Sequence, residues 1–173
     1  SIDSNYFSLL SKLPPYVFSV VNELKYSARR RGDDIIDFGM GNPDQPTPKH
    51  IVEKLMESSV QGKNHRYSIS AGLPKLKLAI SDWYKKNYNV SINPDTETIV
   101  TIGSKEGLSH LMIAMLSPGE VVLVPDPCYP IHSFSVLIAR GDIRAYDSFE
   151  EEEMIASILK GIKKNPKPKA LII

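Results

Sequence analysis

The residues with most chemical promise are Gly103-Ser104-Lys105, where a β-branched run, Thr98 to Ile102, gives way to a helical pattern with no loop between. Leu108, Leu111, Met112, Met115 and Leu116 then recur on one helical face. So tight a join puts the first unpaired N–H groups of the helix, and its partial positive charge, at the end of the preceding strand. An anion can sit there. Gly103 lets the backbone approach closely, Ser104 can cap the helix and donate its hydroxyl, and the amides of Ser104 and Lys105 can cradle phosphate oxygens. The same residues also suit a plain βα turn with a serine cap.

The stretch "VLVPDPCYPIH" supplies the second candidate. Pro125, Pro127 and Pro130 stiffen a loop around Tyr129, and an aromatic held at a strand's carboxyl end can stack on a planar ring or simply fill the core. Asp126 can act as the ribose-binding acid of a nucleotide site. Yet neither a Walker loop nor a complete dinucleotide fingerprint occurs, because Gly39-Met40-Gly41-Asn42-Pro43-Asp44 lacks the third glycine. Cys128 has no histidine in a nucleophile pattern and is expected to be a small buried residue.

These candidates need a scaffold. Val17, Val20, Val21 and Leu24 mark a helix closed by Arg29-Arg30-Arg31 and Gly32, and Ile35 to Phe38 reads as a short strand entering a polar glycine- and proline-rich loop. Ile51, Leu55 and Met56 define another helix after Pro48. A third runs from Pro74 to about Tyr88, with Leu76, Ile80, Trp83 and Tyr84 on its stripe. Beyond residue 97, Thr98–Ile102, Val121–Val124, Ile143–Tyr146 and Ala170–Ile173 read as strands separated by helical stretches. The last helix carries Ile155, Ile158, Leu159 and Ile162, with Glu150 to Glu153 near its positive end. This alternation predicts an α/β fold with a mostly parallel, doubly wound sheet. The final strand has nothing after it to cover its edge, which suggests a partner or a longer chain.

Composition excludes several classes. With 173 residues, 42% hydrophobic and 24% charged, and a formal charge of +1, the chain suits a soluble globular protein with a sizeable core. Near-neutral charge gives nucleic acid no electrostatic support. No apolar run approaches the ~20 residues of a membrane span, and no signal-peptide pattern opens the chain, so a cytoplasmic location is expected. A single cysteine rules out an internal disulfide framework, and the four histidines lack metal-ligand spacing.

Four motifs, "DFGMGNPDQPTP", "HRYSISAGLPKLKLAISDWY", "IVTIGSKEGL" and "LVPDPCYP", follow the order and spacing of the fold-type-I pyridoxal-phosphate-dependent aminotransferases of class I/II. The chain resembles the alanine (glutamate–pyruvate) aminotransferases most, from about Leu13 to its last residue. The resemblance implies that Ser104 and Lys105 form the phosphate-binding turn and that Tyr129 stacks on the pyridine ring of pyridoxal 5'-phosphate. It further implies that the Gly41 backbone meets the substrate carboxylate and that Tyr67 reaches the phosphate of the other subunit of a homodimer with shared active sites. On sequence alone Tyr67 also suits a surface loop.

The resemblance also implies three residues not found here: the Schiff-base lysine, the acid paired with the pyridinium nitrogen, and the arginine that clamps the carboxylate. Lys105 does not replace the lysine, because it lies in the phosphate turn. The expectation is therefore an N-terminal portion of an aminotransferase acting on an amino acid, alanine or glutamate, and a 2-oxo acid. Residues 1–46 would form the arm and the start of a small domain, and residues 47–173 the first part of the cofactor-binding large domain. Two alternatives stay open: a nucleotide-binding α/β domain using Asp126, and a noncatalytic pyridoxal-phosphate-binding subunit that pairs with a separately encoded half.

Overall fold

The structure, a computed structural model, describes residues 8–39 and 41–173. It comprises two compact units, one of Ile102–Ile173 with the described residues up to Val20, the other Val21–Thr101. Helix α1, Val17–Arg30, begins in the first and continues into the second.

In the first unit, strands β1 (Val121–Asp126), β2 (Asp142–Asp147) and β3 (Ala170–Leu171) form a parallel sheet in the order β2-β1-β3. Helix α4 (Ser104–Met115) precedes β1, α5 (Pro130–Ile138) joins β1 to β2, and α6 (Glu151–Lys163) joins β2 to β3. Register runs from Val121 opposite Asp142 to Asp126 opposite Asp147, with Val122 and Leu123 opposite Ala170 and Leu171.

The two faces of β1 explain the layering. Side chains alternate along a strand, so Val122 and Val124 point one way and pack with Met112 and Leu116 from the α4 end and Val136 of α5. Leu123 points the other way, toward α6, where a Cβ added at Gly161 would lie 2.6 Å from its Cδ2. All three β1 side chains are buried. Complete burial of such a residue stabilises the fold by about 1.5–3 kcal/mol, so both helical layers are required by the same short strand.

Local electrostatics set the boundaries of α6. Glu151, Glu152 and Glu153 fill its first turn and Lys160 and Lys163 its last, each complementing the helix dipole. Arg144 of β2 then reaches beyond its own strand, its Nη1 donating to the carbonyls of Gly161 (2.8 Å) and Lys164 (2.9 Å) and its Nη2 to that of Pro166 (2.9 Å). At the start of β1, Glu120 accepts the Ser117 amide at 2.7 Å and pairs with Lys169 at 3.0 Å. The amide first, then Lys169, holds its carboxyl below the usual range.

The second unit contains α2 (Lys49–Ser59), a 3-10 turn at Gly62–Asn64, and α3 (Pro74–Tyr88). Pro74 opens α3 at the position where its missing N–H costs nothing, and left-handed Asn89 (φ 55) ends it. The expected strands at 35–38 and 98–102 do not form. A strand persists through its ladder, and neither segment pairs with another among the described residues. Ile36, Phe38, Ile99 and Ile102 are instead exposed. Residues 98–101 lead into α4 without regular secondary structure, and the Val100 amide donates to the Ala71 carbonyl at 3.3 Å.

Gly161→Val should destabilise the protein by about 1–3 kcal/mol through overpacking against Leu123. In a Leu123→Ala background that cost should shrink. Urea denaturation of the four proteins in this cycle measures the coupling, and equal costs in both backgrounds would contradict the contact.

Candidate functional site

The start of α4 is shaped by backbone conformation. Gly103 takes φ 82 and ψ 161, a region open to glycine, and becomes the N-cap; no side chain caps the helix. Ser104 is therefore the first helical residue and not the cap expected of it. The Gly107 amide returns to the Gly103 carbonyl at 3.4 Å, and the Glu106 carboxylate turns back to accept the Ile102 N–H. That last bond resembles half of a capping box. The amides of Ser104 and Lys105 have no hydrogen-bond partner among the described residues.

Gly103, Ser104 and Lys105 are exposed, and a Cβ built on Gly103 would meet nothing within 4 Å. Tyr129, the residue that enters α5, stands next to them: the Lys105 ammonium lies over its ring, 5.0 Å from the centroid. A hydrogen bond to Tyr129 and electrostatic attraction to its phenol, with a smaller contribution from Tyr16, raise the Lys105 pKa above the ordinary lysine value, against a small opposing effect of burial.

Tyr129 is 44% exposed, so its ring is a platform and not a core residue. Its orientation is fixed from the side by Phe18 (6.4 Å between centroids, 60°) and His132 (6.4 Å, 74°), and Phe18 in turn packs on Tyr16 at 5.3 Å. Sequence reasoning missed both neighbours and the Tyr16 behind Phe18. His132 lies three residues after Tyr129, whereas the aromatic pair flanking Val17 is far from it along the chain.

Asp126 ends β1, exposed, and with Pro127, Tyr146, Asp147 and Phe149 lines an open cleft of about 380 Å³ at the carboxyl ends of β1 and β2. Cys128 is half-buried against the apolar cluster. Buried Tyr146 donates to the Ile172 carbonyl at 2.7 Å, and burial pushes its phenol pKa up. Gly41 and Tyr67 belong to the other unit. Both are exposed, Tyr67 completely, and a Cβ at Gly41 would meet nothing within 4 Å. Ser104, Lys105 and Tyr129 are therefore brought together within one unit, while Gly41 and Tyr67 lie in loops of the second.

Among the described residues no group of three or more histidine, cysteine or acidic residues is arranged to hold a metal ion. No helix among them is long and apolar enough to cross a membrane.

A family model described as aminotransferase class I and II matches residues 33–173. The glutamate-pyruvate aminotransferase AlaC of Escherichia coli is 51% identical over 168 residues, covering 96% of this chain and 41% of that protein. An LL-diaminopimelate aminotransferase of Dehalococcoides mccartyi is 42% identical over 134 residues, 78% of this chain and 34% of that protein. Among solved structures, an alanine aminotransferase from Pyrococcus furiosus superposes with a TM-score of 0.82 at 30% identity, covering 94% of this chain and 42% of that one. The chain thus spans about two fifths of the length of such relatives, or less.

The family depends on pyridoxal 5'-phosphate, and the residues present suit that group: exposed helix-start amides with no partner among the described residues for a phosphate, and a half-exposed phenol ring for a planar heterocycle. With a family match across nearly all of its α/β portion and a relative sharing half of its residues, the chain belongs to the class I and II aminotransferases.

Proposed function

We propose that this chain supplies the phosphate cradle and ring platform of an aminotransferase that moves an amino group between an amino acid and a 2-oxo acid. The observation that carries the reading is the open N-terminus of α4 with Tyr129 beside it, under the Lys105 ammonium. Pyridoxal phosphate, when bound, supplies the electron-withdrawing ring that amino-group transfer requires.

The chain's own residues then have separate tasks. The amides of Ser104 and Lys105, with the Ser104 hydroxyl, receive the phosphate, and the helix dipole and the Lys105 charge add to their attraction. Glu106 leaves that surface less negative by turning toward the Ile102 amide. Tyr129 offers its face to the cofactor ring, held by Phe18 and His132. In the second unit the Gly41 amide receives the substrate carboxylate, and Tyr67 extends to the phosphate held by the partner subunit of a homodimer.

Similarity to the glutamate-pyruvate enzyme at 51% identity supports alanine and glutamate as the amino-acid pair, with the diaminopimelate enzymes at 42% as the competing precedent. We assign residues 1–46 to the arm and the start of the small domain and 47–173 to the first part of the large domain of a cytoplasmic enzyme. Coverage of 41% of that relative supports placing the proton-moving lysine, the pyridinium acid and the carboxylate-clamping arginine outside these 173 residues.

Three outcomes test the reading. The 173-residue chain alone, given pyridoxal phosphate, L-alanine and 2-oxoglutarate, should turn over no faster than free cofactor; faster amino transfer would refute the assignment of the lysine. In the complete enzyme, Tyr129→Ala should weaken cofactor binding by about 1 kcal/mol, read by fluorescence titration. Unchanged affinity would remove the platform role. Tyr129→Phe keeps the ring but removes the phenol oxygen, so the Lys105 ammonium should titrate at lower pH than in the wild type. NMR of a 13C-labelled lysine side chain follows this shift, and an unchanged midpoint would separate Lys105 from Tyr129.

A further inference from the structure

We infer that Asp37, clamped by Lys25, is a positioning residue that anchors Gly39, two residues before Gly41, for the substrate carboxylate. The inference rests on the aminotransferase reading above and adds to it residues which that reading leaves without a role.

Three residues of α1, Val21, Lys25 and Arg29, follow one another at four-residue spacing and share one helical face. The segment after the helix returns to this stripe. Lys25 Nζ donates to Asp37 Oδ2 at 3.0 Å, Arg29 Nη2 lies 3.9 Å from the same oxygen, and Asp37 Oδ1 accepts the Gly39 amide at 2.9 Å. Gly39 lies so close to Val21 that a Cβ there would sit 2.8 Å from Val21 Cγ1 and 3.1 Å from Asp37 Oδ1. Only glycine fits without displacing the stripe.

Two residues later the surroundings reverse, since a Cβ on Gly41 would meet nothing within 4 Å. Gly39 is fixed and Gly41 is open. A backbone donor for an anion needs both, because a mobile amide loses entropy on binding and a covered one admits no ligand. The clamp also solves an electrostatic problem. A lone carboxylate near Gly41 would repel a substrate carboxylate, but Asp37 faces two cations, and the local sum is positive. The Gly39 amide, then Lys25, holds the Asp37 carboxyl below its ordinary range. A single pair this exposed contributes little to global stability. Its effect is on geometry.

The experiment uses the complete enzyme, with L-glutamate as donor and pyruvate as acceptor. Asp37→Ala and Lys25→Met should each raise KM for L-glutamate roughly tenfold, the worth of about one hydrogen bond, with kcat and pyridoxal-phosphate affinity little changed. Lys25→Arg should restore KM. The proposal falls if KM stays within twofold of wild type, if Lys25→Arg behaves like Lys25→Met, or if cofactor affinity and KM worsen together as in general unfolding. If Asp37→Ala does not fold, the two lysine variants decide. A wild-type enzyme that binds no pyridoxal phosphate would instead overturn the aminotransferase reading itself, a result distinct from any of these.

Discussion

The first unit depends on one constraint, the burial of β1 on both faces. Val122 and Leu123 are fully inaccessible and Val124 nearly so, and because they alternate, no single layer can cover them. Helices α4 and α5 cover one side and α6 the other, and the parallel crossovers follow from placing a helix on each face. The position of the site is a by-product. Parallel strands that start together also end together, so the loops leaving β1 and β2 gather at one edge of the unit, as in other sheets of this kind.

What that edge offers is mostly backbone. The α4 amides share the helix dipole, and to attract an anion such groups need no ionisable side chain of their own. Side chains refine the offer: Lys105 adds a cation, Tyr129 gives it a face to rest on, and Glu106 is held by the Ile102 amide. Phe18 and Tyr16 brace Tyr129, so residues at the start of the described chain are part of a surface whose other members lie beyond residue 100.

Helices were legible in the sequence because their signal is contained in one segment. Pro74 and the apolar spacing after it mark α3 end to end, and Ile155, Ile158, Leu159 and Ile162 mark α6. The strands at Val121 and Ile143 were equally readable. Those expected at 35–38 and 98–102 were not, because β-branched residues reveal a preference for extended chain but carry no information about a partner. The turn that opens α4 was visible as a motif, while the role of its glycine was not: the positive φ of Gly103 decides which residue caps α4, and that follows from the path of the chain. Asp37 drew no notice in the sequence because its importance comes from Lys25, a turn of helix and a bend away.

Arg144 belongs to β2, yet all three of its recorded hydrogen bonds go to the connection that leads into β3. Tyr146, also on β2, bonds Ile172 just beyond β3. The two rims of the sheet are therefore linked by side chains as well as through the central strand, and local opening at one rim disturbs the other. Amide protons at Leu171 and Ile172, in a pairing of only two residues, should then exchange with solvent at the pace of the longer strand opposite them, as members of one cooperative unit.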